Sequence, residues 1–180
     1  MLETAHTLLI EASIDTVWDY VRDMRRWAVL LPGCKECVME DTDNSRWILK
    51  VGAGGLVRTV NARVHVDKWD GPGRVDFSFK LEGDPVEGGG SYIANGKGSA
   101  QAEVTLQVRI LGSGPLAPMW EAMSRPLLPR IAKSFATQLK DEIEKPAATP
   151  SGEPAPDSEA DSFKGFTGKL RNFLSTRRDE

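Results

Sequence analysis

Three stretches between residues 60 and 110 alternate apolar and polar side chains with a period of two, which leaves few folds open. Val60, Ala62, Val64 and Val66 oppose Arg63, His65 and Asp67. Val75, Phe77, Phe79 and Leu81 oppose Arg74, Asp76, Lys80 and Glu82. Val104, Leu106, Val108 and Ile110 oppose Glu103, Gln107 and Arg109. Successive side chains of a strand point to opposite faces, so each strand has one wet face and one face that needs cover. Antiparallel sheets covered on one side have this property, and an apolar element elsewhere in the chain has to supply the cover.

That element lies further on, where Leu128, Ile131, Ala132, Phe135, Ala136, Leu139 and Ile143 recur at helical spacing. At about 100° per residue they fall within roughly 140°, a broad apolar stripe. Pro126 suits a first turn, whereas Pro129, deeper in, forfeits a hydrogen bond and crowds the preceding turn. The spacing therefore predicts a helix starting near Ser124, or a kinked one. A separate short helix over Pro118 to Met123 would carry Trp120 and Met123 over one end of the sheet.

Upstream, residues 5 to 12 read as a first strand, and Ser13 as the N-cap of a short helix carrying Val17, Trp18 and Val21. A second short helix, Met24 to Leu31, carries Trp27, Leu30 and Leu31 and stops at Pro32-Gly33. Glu36 to Asp41 and Arg46 to Val51 form a hairpin about Asp43-Asn44-Ser45. Gly88-Gly89-Gly90 reads as a hairpin tip, with simple turn chemistry favoured over a mobile gate. Gly52-Ala53-Gly54-Gly55 reads as a turn or bulge, because no helix and no Lys-Ser/Thr follows it to hold a phosphate. The expected class is α+β over residues 1–144: a curved antiparallel sheet wrapped around a long C-terminal helix, with two short helices after the first strand. A composition 40% hydrophobic and 27% charged supports one ordinary core.

After Lys145 the sequence turns to Pro, Ala, Ser and acidic residues, with almost nothing to bury, so 145–160 is expected to be a disordered linker. Apolar residues return in 161–180, where Phe163, Phe166, Leu170, Phe173 and Leu174 share about a 100° sector of a helical wheel. Lys164 and Arg171 flank the stripe on one side and Lys169 on the other. Residues 162–178 hold five basic side chains and no acidic one. This composition fits a helix lying in the headgroup layer of an anionic membrane. Docking on a partner protein, or on the chain's own domain, is the alternative. Gly165 and Gly168 each cost about 1 kcal/mol relative to alanine, so the tail is expected to become helical on binding.

The remaining chemistry is sparse. A net charge of −3 argues against nucleic acid as a partner. No run approaches the roughly 18 apolar residues of a membrane span, and Met1-Leu2-Glu3-Thr4 enters a strand pattern directly, so the expected location is cytoplasmic. Cys34 and Cys37 have the spacing of half a zinc site, but only His6 and His65 remain to complete it, so no metal is expected. An i,i+3 pair in a regular strand lies about 10 Å apart and faces opposite ways, which predicts free thiols. No nucleophile elbow and no carboxylate dyad stands out, so no catalytic residue is assigned and no cofactor is required. A sheet curved around one helix leaves a gap, the default ligand site. Strand parity and helix face nominate Trp27, Leu31, Trp47, Val64, Phe77, Phe79, Tyr92, Trp120, Met123 and Leu127 as its lining.

The order of strand, two short helices, antiparallel strands and long last helix resembles the helix-grip fold of the START-like superfamily. Within it, Ala12-Ser13, Val17-Trp18, Asp23 and Leu31-Pro32-Gly33-Cys34, followed by Lys50-Val51-Gly52, resemble the CoxG family of carbon monoxide dehydrogenase accessory proteins over roughly residues 3–144. The resemblance implies a non-enzymatic accessory protein that binds a lipid-like molecule or quinone. It further implies that the protein brings a molybdenum-containing dehydrogenase to the cytoplasmic membrane face. Arg125-Pro126-Leu127-Leu128-Pro129-Arg130 is closer to the last helix of the cyclase-like branch, which leaves open an aromatase- or cyclase-like enzyme on a hydrophobic substrate.

Overall fold

The computed structural model describes residues 1–53 and 55–146. The expected tail helix and all of the linker beyond Pro146 lie outside the described residues. Seven strands form one sheet: β1 (Leu2–Ile10), β2 (Cys34–Met39), β3 (Asn44–Ala53), β4 (Leu56–Asp70), β5 (Arg74–Leu81), β6 (Val86–Gly96) and β7 (Ala102–Gly112). The spatial order is β1-β7-β6-β5-β4-β3-β2, and every neighbouring pair is antiparallel. Strands β2 to β7 therefore form a meander, and β1 closes against the last of them. Two short helices, α1 (Ile14–Val21) and α2 (Met24–Leu30), carry the chain from one edge of the sheet to the other. A single 3-10 turn, Gly114–Leu116, leads into the long helix α3 (Ala117–Glu144).

Ser13 caps α1 as expected, and Asp23 supplies a cap to α2 beyond those expected from the sequence. The Ser13 hydroxyl accepts from the Thr16 N–H at 3.2 Å, and the Asp23 carboxylate accepts from the Arg25 N–H at 3.0 Å. The period-two pattern is also realised, since Val60, Ala62, Val64 and Val66 are buried and the intervening Asn61, Arg63 and His65 are exposed.

Four expectations need correction. First, α3 begins at Ala117 and runs unbroken through Pro126 and Pro129, so Pro118 to Met123 is its first turns and not a separate helix. Both prolines are exposed, and the carbonyls they leave unpaired belong to Ala122 and Arg125, themselves exposed, so water can satisfy them. Second, Gly88-Gly89-Gly90 is no hairpin tip. It lies inside β6, opposite Phe79, Ser78 and Phe77 on one side and Ile110, Arg109 and Val108 on the other. Third, Cys34 and Cys37 do not face opposite ways. Cys34 pairs with Leu49 and Glu36 with Ile48, so Lys35 is an extra residue that shifts the parity, and both cysteines pack against the core. Fourth, β1 starts at Leu2, three residues before the expected start.

Leu31-Pro32-Gly33-Cys34 has a structural explanation. Gly33 has φ +86°, a backbone conformation that favours glycine, and a Cβ added there would run into the Lys50 carbonyl oxygen of β3. The Lys50 N–H donates to the Gly33 carbonyl at 2.8 Å. The turn out of α2 is thus seated on β3 at the point where β2 begins.

The C-terminal end of α3 is tied to the end of β1. The Glu144 carboxylate accepts from the Glu11 N–H at 2.6 Å and from Lys140 Nζ at 2.6 Å, and Lys140 also donates to the Leu9 carbonyl at 2.8 Å. The Glu11 N–H, followed by the Lys140 ammonium, holds the Glu144 carboxyl below its ordinary range. A carboxyl with a depressed folded pKa contributes stability above its unfolded value and loses it as pH falls through the folded one. Glu144→Gln is therefore expected to lower unfolding stability by about 1–2 kcal/mol at pH 7, with the deficit vanishing on acidification below the carboxylate range. Urea unfolding of both proteins at several pH values checks this, and a deficit that persists at low pH would contradict it.

Candidate ligand cavity between helix and sheet

Helix α3 lies closest to β1 and β7, next closest to β3, and farther from the central strands. The space left over the middle of the sheet is a cavity of about 170 Å³. It is well above the volume needed to hold one water and below the roughly 300 Å³ of a drug-sized site. A wider depression of about 260 Å³ lies around Gly88 among the outward-facing Ser78, Lys80, Glu87 and Arg109. Its lining is mixed, with charged side chains beside Met1 and Leu111, so the apolar cavity under α3 is the candidate site.

Each element contributes to its wall by parity. From α2 and the residue that follows come Trp27 and Leu31; from β3 Trp47, from β4 Val64, from β5 Phe77 and Phe79, and from β6 Tyr92. Helix α3 adds Trp120, Met123 and Leu127. All ten residues nominated from the sequence thus come together around one space. The same logic could have reached further. Leu49 and Val51 share a strand face with Trp47, and Ile131 and Phe135 continue the i,i+4 row of α3 that begins at Met123 and Leu127. The adjoining row, Ser124, Leu128, Ala132 and Ala136, is buried and mostly small. Small side chains there let the helix come down close to the sheet at one side while standing off it at the other.

The glycine run shapes the cavity floor. Directly opposed residues of an antiparallel pair share a face, so Phe77 stands beside Gly90 and Phe79 beside Gly88. The two rings lie across strand β6 where its side chains are missing. A Cβ on Gly90 would run into the Gln107 carbonyl oxygen and stand 2.8 Å from Phe77 Cζ, and a Cβ on Gly88 would run into the ring of Phe79. The rings thereby lie down on the sheet and leave room above it. One end is sealed by aromatic contacts: Trp18 packs edge-on to Trp69 at 6.2 Å, Trp27 meets Trp69 at 6.0 Å, and Trp27 meets Phe77 edge-on at 5.8 Å. At another point of the wall, the Arg58 guanidinium sits 5.3 Å over the Trp120 ring and pairs with Asp84 at 3.3 Å.

Polar groups are few. Among the lining residues Tyr92 is the single titratable side chain, and Ser124 carries the other hydroxyl. Burial pushes the Tyr92 phenol far above its ordinary pKa, so it is a neutral donor at any physiological pH. The Tyr92 hydroxyl and the Trp120 indole N–H are both buried without a hydrogen-bond partner among the described residues. Cys34 and Cys37 lie outside this wall, and burial raises both thiol pKa values, which favours the protonated form. Among the described residues no three His, Cys, Asp or Glu side chains converge as a metal set. Among the described residues no helix is long and apolar enough to cross a membrane.

A curved antiparallel sheet gripping one long helix is the START-like helix-grip fold. The chain belongs to the polyketide cyclase / dehydrase and lipid transport family, whose model matches residues 1–144. No curated protein matches it in sequence. Among solved structures it is similar to a conserved protein from Geobacillus kaustophilus, with TM-score 0.70 and 18% identity over 80% of this chain and 96% of that one. It is similar to a START superfamily protein from Mycobacterium smegmatis, with TM-score 0.60 and 13% identity over 78% and 98%. It is also similar to the Zhui aromatase/cyclase of a Streptomyces species, with TM-score 0.54 and 16% identity over 80% and 96%. Likenesses at these identities establish the fold.

Replacing Gly90 by alanine is expected to lower stability by about 2–3 kcal/mol, because the new methyl meets backbone on one side and the Phe77 ring on the other. A urea unfolding midpoint equal to that of the parent protein would show that the strand and ring can give way, and that the glycines do not set the cavity floor.

Proposed function

We propose that the domain is a non-catalytic carrier that holds a lipid-like molecule or an isoprenoid quinone in the cavity under α3. The supporting observation is the makeup of the wall: apolar side chains from every layer and one titratable group, a phenol kept neutral by burial. General acid–base chemistry calls for two groups whose pKa values are pushed apart, and binding of an apolar molecule calls for none. Entry of a full-sized lipid requires the wall to yield, because the cavity of about 170 Å³ is smaller than a drug-sized site. The half-buried Leu127, Ile131 and Phe135 of α3 are the side chains placed to move.

The membrane role belongs to the same proposal. Phe163, Phe166, Leu170, Phe173 and Leu174, with Lys164, Lys169 and Arg171 beside them, would hold the domain at an anionic cytoplasmic surface, where the carrier could serve a molybdenum-containing dehydrogenase. The rival is a cyclase- or aromatase-like enzyme on a hydrophobic substrate. It is favoured by the family's description and by the Zhui aromatase/cyclase among the structural neighbours.

Protein purified from native membranes is expected to carry a co-eluting lipid or quinone detectable by mass spectrometry. Failure to find one, together with no binding in titration, sinks the carrier reading. Vesicles containing anionic lipid are expected to pull down the full chain but not a chain ending at Lys145, with the difference shrinking as salt rises. Equal sedimentation of the two would remove the anchor.

A further inference from the structure

Helix α3 is fastened to the sheet unevenly. At the β1 edge it has three polar ties spread over its length. The N-terminal ammonium of Met1 pairs with Glu121 at 3.3 Å, Lys140 Nζ donates to the Leu9 carbonyl at 2.8 Å, and the Glu144 carboxylate accepts from the Glu11 N–H at 2.6 Å. On the other flank, toward β3, β4 and β5, the helix presents Leu127, Ile131 and Phe135, all half-buried and all on the cavity wall. Side chains over a void lack contact partners on one side, so this flank is held weakly. Among the described residues one charged side chain reaches α3 from that direction: the Arg58 guanidinium of β4 lies 5.3 Å over the Trp120 ring and pairs at 3.3 Å with Asp84, in the turn between β5 and β6.

Trp120 is also the loosest tryptophan of the wall. Trp27 donates to the Val21 carbonyl at 2.7 Å and Trp47 to the Ser45 hydroxyl at 2.8 Å, so both rings are pinned. The Trp120 indole N–H has no partner among the described residues. Its ring is held by packing with Val60, Val86 and Met123 and by the cation above it. The Arg58 side chain is 38% exposed and that of Asp84 11%, whereas Trp120 is 3% exposed. The ion pair thus covers a wall residue and joins β4, the β5–β6 turn and the first turns of α3 at one point. Accepting the cavity as a ligand site, as proposed above, we infer that α3 opens about its β1 edge and that Arg58, held by Asp84, is the latch on the edge that lifts. When the guanidinium leaves the ring for water, the row of Leu127, Ile131 and Phe135 parts from the strands beneath and admits a molecule too large for the closed volume. A single cation–π contact beside a partly exposed ion pair is weak enough to release on the time scale of lid motions. Neither Arg58 nor Asp84 lines the cavity, so the latch governs passage and not affinity.

Stopped-flow mixing of the full chain with N-phenyl-1-naphthylamine, an uncharged probe that brightens in apolar surroundings, tests this. Arg58→Met keeps an apolar stem near Trp120 and removes the guanidinium. It is expected to raise the association and dissociation rates together, each by about fivefold to tenfold, with Kd unchanged within about twofold. Asp84→Asn is expected to act in the same direction. Glu121→Gln, which breaks a tie at the β1 edge, is expected to leave both rates as they are. Unchanged rates in Arg58→Met, a change in dissociation alone, or equal acceleration by Glu121→Gln overturns the latch while the cavity remains a ligand site. Failure of the parent protein to bind the probe removes the ligand site instead, and the latch is then decided without ligand, by fluorine NMR of the chain labelled with 5-fluorotryptophan. Arg58→Met is expected to broaden the Trp120 signal, assigned with Trp120→Phe, through microsecond-to-millisecond exchange, while the Trp27 and Trp47 signals keep their widths. A Trp120 signal as sharp as in the parent protein overturns the latch.

Discussion

One helix cannot cover a seven-stranded sheet. Six inter-strand spacings of about 4.8 Å make the inner face roughly 29 Å wide, and a helix with its side chains is only about 10–12 Å across. Helix α3 covers β1 and β7 and reaches β3, while the meander has to keep its inward side chains dry along its whole width. Curvature removes part of the shortfall and the two short helices remove another part, with Trp27 and Leu31 reaching in from that side. What remains uncovered is the cavity. It is thus a geometrical consequence of pairing this sheet with this helix, and selection has only to tune its size and lining.

The tuning is visible where β5 and β6 run side by side. Phenylalanine at 77 and 79 would fill the gap if the rings stood upright from the sheet. Opposite them, Gly90 and Gly88 offer bare backbone, and the rings lie across it. The same glycines bring Phe79 and the Arg109 carbonyl within reach of positions where any side chain would stand. Space under the helix is in this way created by the absence of side chains on one strand and the tilt of large ones on the next. Helix α3 contributes in a parallel manner. Its row of Ser124, Ala132 and Ala136 descends close to the sheet, and its row of Met123, Leu127, Ile131 and Phe135 lines the opening beside it.

Most of this frame is legible in periodicity, because a side chain's parity on a strand or phase on a helix states which way it faces. That is why ten residues picked by face alone surround a single space. The failures share one cause, the loss of parity or phase information. Gly88 to Gly90 carry no side chains, so they display no alternation and imitate a turn. Lys35 is an extra residue in β2, and one inserted residue reverses the facing of everything before it, including Cys34. Pro126 and Pro129 interrupt the helical pattern although both sit on the solvent side of α3, where a missing hydrogen bond is replaced by water. The unpaired state of Tyr92 and Trp120 lies beyond any sequence pattern, since it depends on what each atom meets after folding.

An apolar cavity alone discriminates weakly, because each methylene gained or lost changes affinity by only about 1–3 kcal/mol. General acid–base catalysis is favoured by titratable groups driven to different pKa values and facing each other across the substrate. Here the lone phenol is held neutral and its neighbours are hydrocarbon. The wall thus offers a single group for proton transfer, and that composition is what weighs in the proposal of a carrier over a cyclase-like enzyme.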